Sequence, residues 1–256
     1  MWLALTCPHL FEPPFSKTKL QAVGDRGGGD RATELLLVES KETRSTMTAK
    51  QAGEEQLIVF TRYPVPGTTK TRLIPSLGAD GAAALQRQMS ETTLDEARRL
   101  RRTRSTEIEV LFSGGTRSQL VAWLGPDVEY RAQSDGDLGQ RLTAAFAGAF
   151  GSGKRRVAAI GIDCPDLSAT ILREAFAHLE RSDLVLGPAT DGGYYLIGMG
   201  CFYSELFADI AWSTDVVRAQ TLAIAGRLGL KSALLPELSD VDRPEDLVRW
   251  QQASDR

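Results

Sequence analysis

The sequence predicts an α/β fold around a mainly parallel, mixed sheet, and three observations carry the prediction. Short apolar runs alternate with longer amphipathic stretches from Leu57 onward. The run Val157-Ala-Ala-Ile-Gly-Ile162 is apolar on both faces, as a central parallel strand should be. An apolar segment at 57–60 also leads directly into a stiff basic loop, an arrangement that holds phosphates at the carboxyl edge of parallel sheets.

Each element has its own signal. Residues 57–60 read as a strand. Residues 81–100 read as a long helix, with Ala84, Leu85, Met89, Leu94 and Ala97 on an apolar face. A strand at 108–112 ends in Ser113-Gly-Gly115. A short helix at 116–124, a strand at 128–132 and a helix at 138–150 follow, the last with Leu142, Ala145, Phe146 and Ala149 inward. Residues 157–162 form the buried strand, and Ser168 caps a helix over 168–179. Strands are expected at 183–187, 194–198 and 232–235. A helix at 215–228 takes Ser213 or Thr214 as its cap. Pro244 suits the first turn of a closing helix at 244–252.

The 256 residues are 42% hydrophobic and 25% charged, the balance of an ordinary globular protein. A net charge of −3 gives no general attraction to nucleic acid or anionic membrane. No apolar run approaches the roughly 20 residues of a membrane span. The start lacks a positive n-region, so no signal peptide is expected. Three widely spaced cysteines provide neither a disulfide framework nor a Cys-x-x-Cys zinc pair, which fits a reducing cytoplasm. With only two histidines, any metal is expected to be a hard ion held by oxygens.

Residues 1–54 differ from the rest. Pro13-Pro14, Gly27-Gly-Gly29 and scattered charges predict a mostly disordered extension, with 35–38 the one short apolar run. The glycines read as linker, because no strand precedes them and no Gly-Lys-Ser/Thr follows. Met47 offers a translation start alternative to Met1. A single folded domain is expected over 55–256.

The chemistry-bearing residues lie at strand ends. In Ile58-Val-Phe-Thr-Arg-Tyr-Pro-Val-Pro-Gly-Thr-Thr-Lys-Thr-Arg-Leu73, Pro64 and Pro66 stiffen the loop, Gly67 frees it, and Arg62, Lys70 and Arg72 supply charge. Asp163 ends the strand before Cys164-Pro165, where a carboxylate can hold Mg²⁺ or Mn²⁺ and through it a diphosphate. Asp166 reads as a turn or near-cap residue. In Gly187-Pro-Ala-Thr-Asp-Gly-Gly-Tyr-Tyr-Leu-Ile-Gly198, Asp191-Gly192-Gly193 is either a plain hairpin turn or a site beside Tyr194. Paired glycines also admit a ligand close to the backbone. Gly136-Asp-Leu-Gly-Gln-Arg141 opens a helix whose amides favour anions, or is simply a capped loop with Asp137 offsetting the dipole. Asp240 and Asp242 precede the last helix, with capping and metal ligation both open for Asp242. Arg98, Arg99, Arg101, Arg102 and Arg104 read as a solvated helix end that compensates the dipole. His178 falls in a last helical turn, and no Ser-His-Asp set can be assembled without it or His9.

These motifs, in this order, resemble the DUF2064 family of glycosyltransferase-A-fold transferases, which is related to the phospholactate and molybdenum-cofactor guanylyltransferases. The resemblance spans about 57–252. It implies a three-layer α/β/α sandwich of the nucleotide-diphospho-sugar transferase type. It further implies that Arg62, Gly67, Lys70 and Arg72 bind the nucleotide phosphates and that Asp163 and Asp242 hold a divalent metal, while Gly136, Asp137 and Gly139, at a helix start whose amides favour anions, are further nucleotide-binding candidates. Arg62 stands where the family usually has Lys. Asp191, Gly192, Gly193 and Tyr194 are then substrate candidates, and Lys70, Arg72 and Asp191 the catalytic ones.

The expectation is a cytoplasmic, Mg²⁺- or Mn²⁺-dependent nucleotidyl- or glycosyltransferase, with an NTP or nucleotide sugar as donor and a small molecule as acceptor. The alternative is a non-catalytic nucleotide or nucleotide-sugar binding module. A P-loop kinase fails, since Gly67-Thr-Thr-Lys70 lacks the Gly-x-x-x-x-Gly-Lys frame.

Overall fold

The computed structural model describes residues 53–254. The expectations for residues 1–52, the start at Met47 among them, lie outside the described residues. A compact unit begins at Gly53. Residues 53 and 54 belong to it rather than to an extension: Lys154 donates to the Gly53 carbonyl at 2.7 Å and the Arg155 amide to that of Glu54 at 2.8 Å.

Seven strands form one sheet: β1 (Glu55–Arg62), β2 (Thr106–Ser113), β3 (Glu129–Ala132), β4 (Arg156–Ile160), β5 (Leu184–Pro188), β6 (Tyr194–Met199) and β7 (Ser232–Leu234). Their order is β3-β2-β1-β4-β6-β5-β7. Every pairing is parallel except those of β6, which runs antiparallel to both β4 and β5. The expected mainly parallel, mixed sheet is what forms.

The helices are α1 (Ile74–Thr103), α2 (Arg117–Leu124), α3 (Leu138–Gly151), α4 (Ala169–Leu179), α5 (Val217–Arg227) and α6 (Leu247–Ser254). They cover both faces, giving three layers. Alternation along each strand divides the core in two. Leu57, Val59, Val110 and Ile160 pack with Leu85, Leu94 and Phe176 of α1 and α4 on one face. Ile58, Leu111, Val157 and Ala159 pack with Leu142 and Phe146 of α3 and Ile224 of α5 on the other.

Several bounds differ from the sequence reading for identifiable reasons. β1 extends past its apolar centre because polar Glu55, Gln56 and Thr61 are buried with partners: Gln56 donates to Glu109 at 2.8 Å, and Thr61 shares a 2.7 Å hydrogen bond with Ser90. α1 begins earlier and is interrupted at Gly78 (φ 70, ψ 169), a conformation open to glycine. Ala84 is exposed, while Leu85, Met89, Leu94 and Ala97 are buried. α5 has no side-chain cap. Ser213 takes φ 65 and Thr214 bonds the Ala211 carbonyl at 2.6 Å, so the helix starts only at Val217. The arginine run is not simply solvated: Arg98 and Arg101 both clamp Asp127, and Arg104 binds Glu55 and Glu180. No helix among the described residues is long and apolar enough to cross a membrane.

Candidate active site

The loop after β1 is built on one carbonyl. Val65 O accepts from the Thr68 amide and from the Thr68 and Thr69 hydroxyls at 3.1–3.2 Å, with Gly67 at φ 81 completing the turn. Arg62 lies across its own loop, donating to the Thr68 carbonyl at 3.1 Å. Lys70 adopts a left-handed backbone (φ 47, ψ 44), uncommon for a residue with a Cβ. Its side chain is only 5% exposed and turns onto the sheet edge. There Nζ meets Asp163 Oδ1 at 2.6 Å, the Val241 carbonyl at 2.7 Å and Asp242 Oδ1 at 3.8 Å.

The partners arrive from distant segments. Asp163 follows β4 and is half exposed. The Leu238–Asp242 stretch runs across the ends of two strands. Leu238 bonds Pro188 and Thr190 at 3.0 Å on the β5 side, and Val241 N donates to Asp163 O at 2.9 Å on the β4 side. Val241 is fully buried between the partly buried Asp240 and Asp242. Arg72 pairs with Asp242. The capping alternative for Asp242 goes to another residue: Asp246 Oδ2 accepts from the amides of Asp242 and Arg243 at 3.2 and 2.9 Å.

Asp191 belongs to the β5–β6 hairpin, where its carboxylate accepts from the Gly193 amide at 2.8 Å. Because β6 is antiparallel, this hairpin opens at the edge where β4 ends. Asp191 therefore serves the turn and also contributes to the field of the site. Burial raises the Asp240 carboxyl pKa above its usual value, and the charges of Asp191, Asp242 and Asp163 push it the same way. Asp240 is a participant that the sequence reading did not single out as a site residue; the Asp-x-Asp spacing before the last helix was the available signal. Burial likewise raises the pKa of the neighbouring Cys164 thiol, helped by the charge of Asp163.

A carboxyl raised in the fold favours folding below its unfolded pKa, and that contribution is lost as pH rises through the folded value. At pH 7 ionised Asp240 therefore weighs against the fold. Asp240→Asn is expected to raise the metal-free melting temperature at pH 7 and to narrow that gain toward pH 4, as read by calorimetry.

Other anticipated site residues are placed differently. Gly136 (φ 108) leads into α3, and the Asp137 carboxylate is committed to its cap, accepting from Gln140 N at 2.8 Å while Gln140 accepts from Asp137 N at 3.0 Å. Gly139 is buried, where a Cβ would stand 2.5 Å from Trp212 Nε1. Gly192 (φ 90) makes way for protein backbone: its Cβ would stand 2.1 Å from the Asp215 carbonyl oxygen. Tyr194 packs edge-on to Trp212, with its hydroxyl buried beside Thr221 and lacking an ordinary hydrogen bond. Among the described residues no three His, Cys, Asp or Glu side chains group as a metal cage.

Comparisons with known proteins follow the same lines. A crystal structure from Desulfovibrio desulfuricans G20, named "putative nucleotide-diphospho-sugar transferase", is 34% identical, with 75% of this chain and 83% of that one covered at TM-score 0.70. A nucleotidyl transferase from Methanothermobacter thermautotroptrophicus is 18% identical, over 78% of this chain and 97% of its own, at TM-score 0.53. The 4-diphosphocytidyl-2C-methyl-D-erythritolsynthase from Anaerococcus prevotii DSM 20548 is 9% identical, over 79% and 97%, at TM-score 0.51. The last two show the fold alone. No curated protein matches. The family described as "Uncharacterized protein conserved in bacteria (DUF2064)" matches residues 93–214. With the Desulfovibrio relative aligned over most of both chains, the chain belongs to the DUF2064 family.

Proposed function

We propose that the protein is a divalent-metal-assisted transferase whose donor carries a nucleoside di- or triphosphate. The observation that carries the reading is the convergence of Lys70, Asp163 and Asp242, from three distant segments, at the edge where β1 and β4 end. A basic loop facing carboxylates at that edge is the equipment of phosphate chemistry.

Two carboxylates near one ammonium fit a small hard cation. Mg²⁺ is commonly held by one or two carboxylates and completes its shell with water and substrate phosphate. Asp163 and Asp242 would hold it, and once bound it would neutralise phosphate charge. Lys70 keeps the two carboxylates together and adds a positive charge beside them. Arg72 orients Asp242. Asp240 and Asp191 deepen the negative potential that draws the cation in.

In glycosyl transfer the acceptor oxygen bonds to the anomeric carbon, the bond from that carbon to the phosphate oxygen breaks, and a nucleoside diphosphate leaves. In nucleotidyl transfer the acceptor oxygen bonds to the α-phosphorus and pyrophosphate leaves. The name of the 34% identical relative favours a nucleotide-sugar donor. Both routes need the same stabilisation of a departing phosphate.

The test is a panel of the four NTPs and several nucleotide sugars, each with and without Mg²⁺ or Mn²⁺, read by melting temperature and by pyrophosphate or nucleoside diphosphate release. A metal-dependent rise with one donor class, followed by release once acceptors are supplied, is the expected result. Binding that never leads to release with any acceptor would favour a binding module, and no response to any donor would sink the reading.

A further inference from the structure

The phosphate charge of such a donor needs cations that are not already spoken for. Lys70 directs its donors at Asp163, Asp242 and the Val241 carbonyl, and Arg72 is paired with Asp242. The arginines that stabilise the fold likewise have carboxylates: Arg98 and Arg101 on Asp127, Arg104 and Arg156 on Glu55.

Arg141 does not. It is the fourth residue of α3 and partly buried, and no carboxylate among the described residues lies within ion-pair distance of it. Its Nε is buried with no hydrogen-bond partner. Among the described residues its one hydrogen-bond acceptor is Gln133 Oε1, 3.4 Å from Nη1. A buried, charged donor left unpaired is costly, and an ion or ligand is a standard reason for a fold to keep one.

Gln133 sets where the guanidinium sits. Its Nε2 is spent on the carbonyls of Thr61 and Leu111, both at 3.0 Å, and its backbone N donates to Phe112 O at 2.8 Å. The amide orientation is therefore fixed, with Oε1 left for Arg141. Thr61 immediately precedes Arg62 at the end of β1. Gln133 thus ties Arg141 to the edge from which the basic loop departs.

We propose that Arg141, positioned by Gln133, is an anion-binding residue of this edge and takes phosphate oxygens of the donor. The guanidinium fork matches a phosphate in charge and geometry. This rests on the transfer reading only for the identity of the ligand; the anion site itself does not require turnover.

Inorganic pyrophosphate, titrated calorimetrically into the full chain with chelator present, tests the proposal without metal. The wild type is expected to bind. Arg141→Gln is expected to weaken binding about ten-fold, the loss of one charge-assisted contact. Its ligand-free melting temperature should be no lower than wild type, because no internal ion pair is lost; a purely structural arginine would show the reverse. Arg141→Lys keeps the charge without the fork and is expected to fall between the two. No binding by the wild type, a loss of less than about five-fold in Arg141→Gln, or a destabilised Arg141→Gln alongside an Arg141→Lys that binds like wild type, overturns the proposal. Asp163→Asn should still bind pyrophosphate under chelation while losing turnover, so failure of the anion site and failure of the transfer reading are told apart. Titration with a nucleoside triphosphate and with a nucleotide sugar then shows which donor phosphate Arg141 serves.

Discussion

Asp163→Ala is expected to lower metal-dependent turnover by at least about 10²–10³-fold, the range for removing one preorganised electrostatic contact. The carboxylate lies 2.6 Å from Lys70 Nζ and is 48% exposed, so its removal opens no core cavity. Lys70 keeps the Val241 carbonyl at 2.7 Å and Asp242 at 3.8 Å, so its ammonium is not stranded. The melting temperature should consequently move little while steady-state product release collapses. Added Mg²⁺ or Mn²⁺, which should stabilise the wild type, should lose most of that effect in the variant. Turnover near wild-type level would remove Asp163 from the metal site. A collapse in melting temperature would instead make it a structural residue.

The second large effect lies at the opposite end of β1. Glu55 is 6% exposed at its side chain and receives Arg104 at 2.6 Å, Arg156 at 2.8 Å and Thr106 at 3.3 Å. Burial raises its pKa, but hydrogen bonds from Arg104 and Arg156 outweigh that, so the net shift is downward. Glu55→Ala removes the carboxylate that Arg104 and Arg156 share, while Arg104 keeps Glu180 at 2.7 Å and Arg156 keeps Glu54 at 3.9 Å. Breaking a buried pair on one side costs about 3–5 kcal/mol, and the retained carboxylates put this cost at the lower end. For a domain of this size that lowers the melting temperature by about 10 °C. A carboxylate depressed in the fold contributes stability above its unfolded pKa and loses it as pH falls through the folded value. The wild type should thus lose stability below pH 4.5, the ordinary glutamate value, more steeply than Glu55→Ala does. Calorimetry of both proteins across pH 3–7 checks it; parallel curves would show that folding does not depress the Glu55 pKa, and superimposed curves that the cluster carries no net stability.

Much of this architecture is legible in sequence because apolar periodicity directly encodes burial. Val157, Ala158, Ala159 and Ile160 are buried on both faces of the sheet, and Ser168 caps α4 by accepting from Ile171 N. The direction of β6 is not encoded that way. A strand's apolar pattern is the same whichever way it runs, and only the short Thr190-Asp191-Gly192-Gly193 connection hinted at a hairpin. Long side chains are the other limit. The sequence offers Lys70, Asp163 and Asp242 as charged residues near strand ends, yet their pairing depends on a left-handed backbone at Lys70 and on the path of the Leu238–Asp242 segment. Neither has a compositional signature. Asp137 illustrates the converse: a motif residue beside a candidate phosphate site whose carboxylate is used up by its own helix.

The 171-residue separation between Lys70 and Val241 has a consequence for how the protein comes into being. The basic loop leaves the ribosome well before the segment carrying Asp240 and Asp242. Until that segment emerges, the lysine has neither its carbonyl partner nor its second carboxylate. Strands β1 to β6 can pair beforehand, but the site is assembled from contacts of the longest sequence separation, the ones expected to close last. A chain cut short before Val241 would therefore acquire most of the sheet without the carbonyl and second carboxylate that Lys70 meets.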